Sequence, residues 1–304
     1  MGKAARSNGA ARANTPRPRP SSSRSTRRRV SWWWIAGAVL IAAAAALVAW
    51  QTGRAADTKR VALTHVHGLG INPADGTLYV ATHDGLYQLV ADGTAKRVGD
   101  GRQDTMGFTV AGANQFLASG HPAPGQNGPK HLGLIESHDA GATWSTRSLA
   151  GDADFHALRF RHNTVYGYNS VRGQLIASTD RTTWEARATI SLRDFDVSPV
   201  NPQTLLATTD AGLQRSSDGG TTWTPAGGPP LLLLAWETAD RLWGLTSTGD
   251  ILRSTDGSSW SPSGKVVGQA TAFAAHDSAL YAAIHERGIF RSTDSGTTWT
   301  KLYS

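Results

Sequence analysis

Four short segments of this chain set carboxylates and imidazoles at matching positions: Thr64-His65-Val66-His67-Gly68, Gln103-Asp104-Thr105-Met106-Gly107, Ala153-Asp154-Phe155-His156-Ala157 and Arg193-Asp194-Phe195-Asp196-Val197. In register, the first polar positions are His65, Asp104, Asp154 and Asp194, and the positions two later are His67, Met106, His156 and Asp196. Residues two apart on an extended strand point to the same face, so both sets are expected to project together. His83, His121 and His285 stand at the ends of neighbouring apolar runs, and His131 closes the one long Gly- and Pro-rich loop, Gly120 to His131. A loop of that composition over a cavity mouth is expected to act as a lid.

Three chemistries fit these residue types. Paired carboxylates act on a glycosidic bond when one stays protonated and another stays charged, which makes Asp104, Asp154, Asp194 and Asp196 the candidate catalytic residues. His65, His67, His83, His121, His131, His156 and His285 are then the candidate substrate-binding residues. Alternatively His65, His67 and His156 with an aspartate offer a metal ligand set, although no cofactor is otherwise expected. In the third reading, Asp and His cap turns and line a solvated channel.

What must position these residues is a repeat. Five copies of one pattern run through the chain: Ser137-His138-Asp139-Ala140-Gly141-Ala142-Thr143-Trp144, a shortened Ser178-Thr179-Asp180-Arg181-Thr182-Thr183-Trp184, Ser216-Ser217-Asp218-Gly219-Gly220-Thr221-Thr222-Trp223, a shortened Ser254-Thr255-Asp256-Gly257-Ser258-Ser259-Trp260, and Ser292-Thr293-Asp294-Ser295-Gly296-Thr297-Thr298-Trp299. Their aspartates are spaced by 41, 38, 38 and 38 residues, the signature of small units stacked or arranged in a ring. Each copy reads as a tight turn: the aspartate accepts backbone N–H bonds, the glycine takes positive φ, and the tryptophan opens the next strand as a wedge between sheets. One carboxylate per copy is too few oxygens for a calcium loop.

Three β-rich runs precede each turn and a fourth follows it, as in Ala270 to Ala275, Ala279 to Ile284, Gly288 to Ser292 and Thr298 to Leu302, and four strands in ~38 residues is the size of a propeller blade. A sixth unit without the pattern lies upstream, so blades are expected from near 61, 101, 151, 190, 229 and 266. In such a meander the candidate site residues fall on one face of the ring and the repeated turns on the other. How the ring closes is open at this level, with 58–63 as a candidate extra edge.

The repeated pattern resembles the Asp-box, or BNR repeat, of bacterial sialidases and related propellers. That resemblance implies an all-β, six-bladed propeller in which Asp139, Trp144, Asp180, Trp184, Asp218, Trp223, Asp256, Trp260, Asp294 and Trp299 are structural, with function on the opposite face. Sialidase activity proper is not expected. The family's site needs three arginines clamping a carboxylate, a tyrosine nucleophile with a nearby glutamate and an aspartic acid, with Arg-Ile-Pro ahead of the boxes. No Arg-Ile-Pro occurs here, and Arg159, Arg172, Arg193, Arg241 and Arg287 are scattered. The chain is similar to bacterial membrane-anchored proteins described generically as BNR-repeat glycosyl hydrolases. In repeat type it is also similar to sortilin-like receptors and photosystem assembly factors, which bind partners without catalysis. The expectation is recognition of a glycan or other cell-envelope ligand, with hydrolysis left open. The alternative is a non-catalytic propeller that binds a protein or helps assemble envelope complexes.

Charge and hydropathy complete the organisation. Residues 1–30 hold nine of the 30 Lys and Arg and none of the 23 Asp and Glu, so the remainder is near neutral and offers no nucleic-acid surface. Residues 1–29 are expected to be a disordered basic cytoplasmic tail. Residues 30–50 are uncharged and apolar, with Trp32, Trp33, Trp34 and Trp50 at the ends, and read as a single transmembrane signal-anchor helix. Arg27, Arg28 and Arg29 ahead of it orient the N-terminus to the cytoplasm, leaving a linker over 51–60 and a propeller over 61–304 outside. The chain has no cysteine, so the exported part does not rely on disulfides.

Overall fold

The computed structural model describes residues 63–91 and 93–304. The tail, span and linker expected over 1–60 lie outside the described residues, among which no helix is long and apolar enough to cross a membrane. The described chain forms six antiparallel four-stranded sheets, each made of four consecutive strands. This is a six-bladed β-propeller. The innermost strands are Val66–Ile71, Asp104–Gly112, Phe155–Arg161, Asp194–Val197, Leu231–Thr238 and Ala270–His276. Residues of all six line a central cavity of about 520 Å³.

The blades cohere through six apolar clusters, each straddling one seam between neighbours. Tyr79, Ala81 and Leu86 of blade one pack on Phe108, Phe116 and Ile135 of blade two, and Tyr166 and Leu175 of blade three pack on Phe195 and Leu205 of blade four. Second strands such as Leu78–Thr82 are buried at every residue because both faces of a blade are covered. Ring closure uses the same device. Val66, Ile71 and Val80 of blade one meet Ala272, Ala283, Ile289 and Tyr303 of blade six, with Leu63 packed against them. No strand is exchanged between blades among the described residues; of the candidate edge at 58–63, only Leu63 is described.

The five repeated turns join third and fourth strands, and in all five the aspartate Oδ1 accepts from the serine hydroxyl two residues before it and from the backbone N–H of the residue ahead of the tryptophan. In the Asp218 turn, Oδ1 accepts from Ser216 Oγ at 2.8 Å and Thr222 N at 2.9 Å, Oδ2 accepts from Thr222 Oγ1 at 2.6 Å, and Gly220 N donates to Ser216 Oγ at 2.8 Å. In the shortened Asp180 turn, Oδ1 accepts from Ser178 Oγ and from the N–H groups of Thr182 and Thr183. Gly220 has φ +92°, and a Cβ there would stand 2.8 Å from Leu175 of the preceding blade, so glycine is needed for both backbone and space. Each tryptophan is half-buried against the seam before its own blade, as expected of a wedge. It stands one residue ahead of the fourth strand rather than opening it, because the last pair of the ladder forms beyond the ring.

Simple alternation does not hold at the start of the innermost strands. The pairing skips His67, Met106, His156, Leu232 and Thr271, a β-bulge at the second residue of the innermost strand in four blades and at the third in blade two. Blade four pairs Asp194 through Val197 without interruption. A bulge bends the strand and re-aims its unpaired side chain. His67, Met106 and His156 therefore reach the central cavity by a route different from the expected period of two.

Candidate functional site

The predicted site residues gather at the mouth opposite the repeated turns, and the structure sorts them into three groups. Each group forms where a carboxylate at the start of one blade reaches back to the blade before it.

At the seam of blades one and two, Asp104 meets His67 and His83. His83 Nδ1 lies 2.7 Å from Asp104 Oδ2, and His67 Nε2 lies 3.6 Å from Oδ1. The His67 and His83 rings are 4.6 Å apart, His65 stacks edge-on to His83 at 4.8 Å, and His285 of blade six lies 5.9 Å from His65. Burial, reinforced by the neighbouring His83, pushes the His67 pKa down to about 4, so its ring is neutral near pH 7.

At the seam of blades two and three, Asp154 is buried, with 4% of its surface exposed. His156 Nε2 donates to its Oδ2 at 2.9 Å, and Ser170 Oγ lies 3.2 Å from the same oxygen. His121 Nε2 stands 3.5 Å and His131 Nδ1 4.0 Å from that carboxylate. Burial opposes the charge on Asp154, yet the His156 bond and the nearby imidazoles outweigh it and hold the pKa below its ordinary value. His131 is lowered too, chiefly by burial. The loop that carries it is pinned rather than free. Leu132 N donates to Gly120 O at 2.8 Å, Gly151 N to His131 O at 2.8 Å, and His121 Nδ1 to Lys130 O at 3.0 Å.

At the seam of blades three and four, Asp194 and Asp196 share Arg159, with Nη2 2.6 Å from Asp194 Oδ1 and Nε 3.8 Å from Asp196 Oδ1. Their remaining oxygens accept backbone bonds from blade five, Leu234 N to Asp194 Oδ2 at 2.8 Å and Trp236 N to Asp196 Oδ2 at 2.7 Å. Burial opposes the charge on Arg159, but the two carboxylates outweigh it and raise its pKa. Burial also pushes Asp194 upward against the pull of Arg159.

The four aspartates therefore do not form one pair of free acids. Likewise His65, His67 and His156 do not come together as one ligand set; His67 joins His83 and Asp104, and His156 hydrogen-bonds Asp154. Three arginines line the cavity, and each is occupied: Arg159 by the aspartates, Arg161 by Trp236 O at 2.7 Å, and Arg193 by Asp210 at 2.7 Å. Sequence reasoning missed the positioning partners Ser170 and Arg159. The available signal for Arg159 was a charged residue between Leu158 and Phe160 in an innermost strand.

A six-bladed propeller with its polar residues on the face away from the repeated turns is the class that fold and site define. No protein-family profile matches the chain, and no curated protein sequence matches it. Among solved structures it is similar to a chain of a nidogen/laminin complex (TM-score 0.58, 13% identity, 72% of this chain and 89% of that one). It is also similar to a GH74 xyloglucanase from Xanthomonas campestris (TM-score 0.54, 17% identity, 78% of this chain), of which it spans 38%. A third is YCF48 bound to D1 peptide (TM-score 0.51, 15% identity, 79% of this chain and 83% of that one). At these identities the likeness is one of fold.

Proposed function

We propose that the chain is a single-pass, membrane-anchored propeller that faces outward and recognises a carbohydrate of the cell envelope at the mouth opposite its Asp-boxes, without hydrolysing it. The observation that carries the absence of hydrolysis is that the four candidate carboxylates are divided among three seams and each is paired with a guanidinium or an imidazole, Asp104 and Asp154 keeping one unpartnered Oδ1 apiece. Asp194 and Asp196 are held by Arg159 and backbone amides, and Asp104 and Asp154 by imidazoles. A glycosidase needs one carboxyl free to donate a proton and another free to accept charge. Support for a sugar comes from the cavity of about 520 Å³, which mixes the imidazoles of His67 and His156 with the aromatic surface of Phe160. The shared hydrogen bonds of the five turns support reading them as Asp-boxes. The basic residues ahead of 30–50 support the outward orientation.

A protein partner is the second reading. Val171 and Val267 are exposed at 53% and 66% on connections of the same face, an apolar contribution a sugar does not need. Propellers of this fold occur in the nidogen/laminin complex and in YCF48 bound to D1 peptide.

The test uses full-length protein in detergent, applied to an envelope-glycan array and to a panel of chromogenic glycosides. Saturable glycan binding without turnover is expected. Turnover lost in Asp104→Asn or Asp154→Asn would overturn the non-hydrolytic reading, and an array with no binding would leave the protein-partner reading in its place.

A further inference from the structure

Around Asp154 the side chains are arranged as ligands in search of a cation. His121 Nδ1 faces the Lys130 carbonyl at 3.0 Å; a carbonyl only accepts, so Nδ1 carries the proton, and in the neutral ring Nε2 carries the lone pair. Nε2 lies 3.5 Å from Asp154 Oδ2. Two acceptors facing each other at that distance repel unless something positive lies between them. His131 Nδ1 and Asp154 Oδ1 are both buried and without a hydrogen-bond partner, a cost of roughly 1–3 kcal/mol for each such group.

We propose that His121, His131 and Asp154 bind a divalent transition-metal ion. Their three ligand atoms lie within 4.8 Å of one another. Metal bonds of about 2.0–2.2 Å in tetrahedral geometry separate neighbouring ligand atoms by about 3.3–3.6 Å. The observed distances to Asp154 Oδ2 are 3.5 Å, within that spacing, from His121 Nε2 and 4.0 Å, somewhat above it, from His131 Nδ1. The outer partners fit as well. A ligating histidine commonly gives its other N–H to a backbone carbonyl, as His121 does, and a ligating carboxylate is steadied by further bonds, as His156 and Ser170 steady Asp154. Two imidazoles and one carboxylate suit zinc or copper rather than calcium or magnesium. Three protein ligands leave a further coordination position, and His121 is one-third exposed to solvent.

The Asp104 cluster has the same composition, but His83 Nδ1 stands 2.7 Å from Asp104 Oδ2, closer than two ligands of one tetrahedral metal ion stand. It serves as the internal control. The proposal rests on coordination geometry and not on the carbohydrate reading, and its test contains no sugar.

Full-length, tag-free protein, stripped with chelator, is titrated with zinc by calorimetry and with cobalt by visible absorption. Saturable zinc binding and a cobalt d–d spectrum of low coordination number are expected. Both should vanish in His121→Gln and in His131→Gln and persist in His83→Gln, with metal-free melting temperatures confirming that each variant folds. Absence of saturable binding by the native chain, or binding that survives both His121→Gln and His131→Gln, would overturn the proposal.

Discussion

Each oxygen of Asp194 is committed to a different blade, Oδ1 to Arg159 of blade three and Oδ2 to the Leu234 N–H of blade five. The residue ties three blades together, and with Asp196 it neutralises a guanidinium at the wall of the cavity. Breaking a buried ion pair from one side leaves an uncompensated charge, which costs roughly 3–5 kcal/mol. Asp194→Asn is therefore expected to lower stability by about 3 kcal/mol in urea denaturation, and Arg159→Met added to it should restore part of the loss. A change below about 1 kcal/mol for the single variant would show that Arg159 finds solvent instead. His121→Gln, at a residue one-third exposed, should leave metal-free stability nearly unchanged.

The repeated turn is the element that makes the blade, and its aspartates are strong acids because of it. The Thr222 hydroxyl, then the Thr222 N–H, hold Asp218 at about 2, below its ordinary 3.8, and Thr298 does the same for Asp294. A carboxylate depressed in the folded state stabilises it fully above its unfolded pKa and loses that contribution as pH falls through the folded value. Melting temperature should consequently fall between pH 4 and pH 2 more steeply in the native chain than in Asp218→Ala. Equal slopes would show that the turn carries no linkage. The half-buried tryptophans set a second scale: Trp223→Ala should cost less than the roughly 3–5 kcal/mol of a fully buried aromatic.

For the whole molecule, six seams of similar construction mean that stability is distributed, and among the described residues blade one joins blade six through the packing of Val66, Ile71 and Tyr303. The proposed orientation in the cell rests on the basic segment ahead of 30–50. Protease added to intact cells is expected to remove the propeller and leave residues 1–29 cell-associated, and a protected C-terminus would contradict the proposed topology.

Blade number, strand order and the face on which His and Asp collect were legible in the sequence. Apolar alternation and the spacing of Asp139, Asp180, Asp218, Asp256 and Asp294 are local signals that repeat. Which side chains meet was not legible. Asp104 with His67, Asp154 with His121 and Asp194 with Arg159 are pairings across seams, between residues some 33 to 37 positions apart, and no local pattern encodes the blade-to-blade rotation that joins them. The bulges at His67 and His156 add a second reason. One unpaired residue reverses the period of two on which every outward-or-inward assignment along a strand depends, and only the pairing of the folded sheet shows where that residue stands.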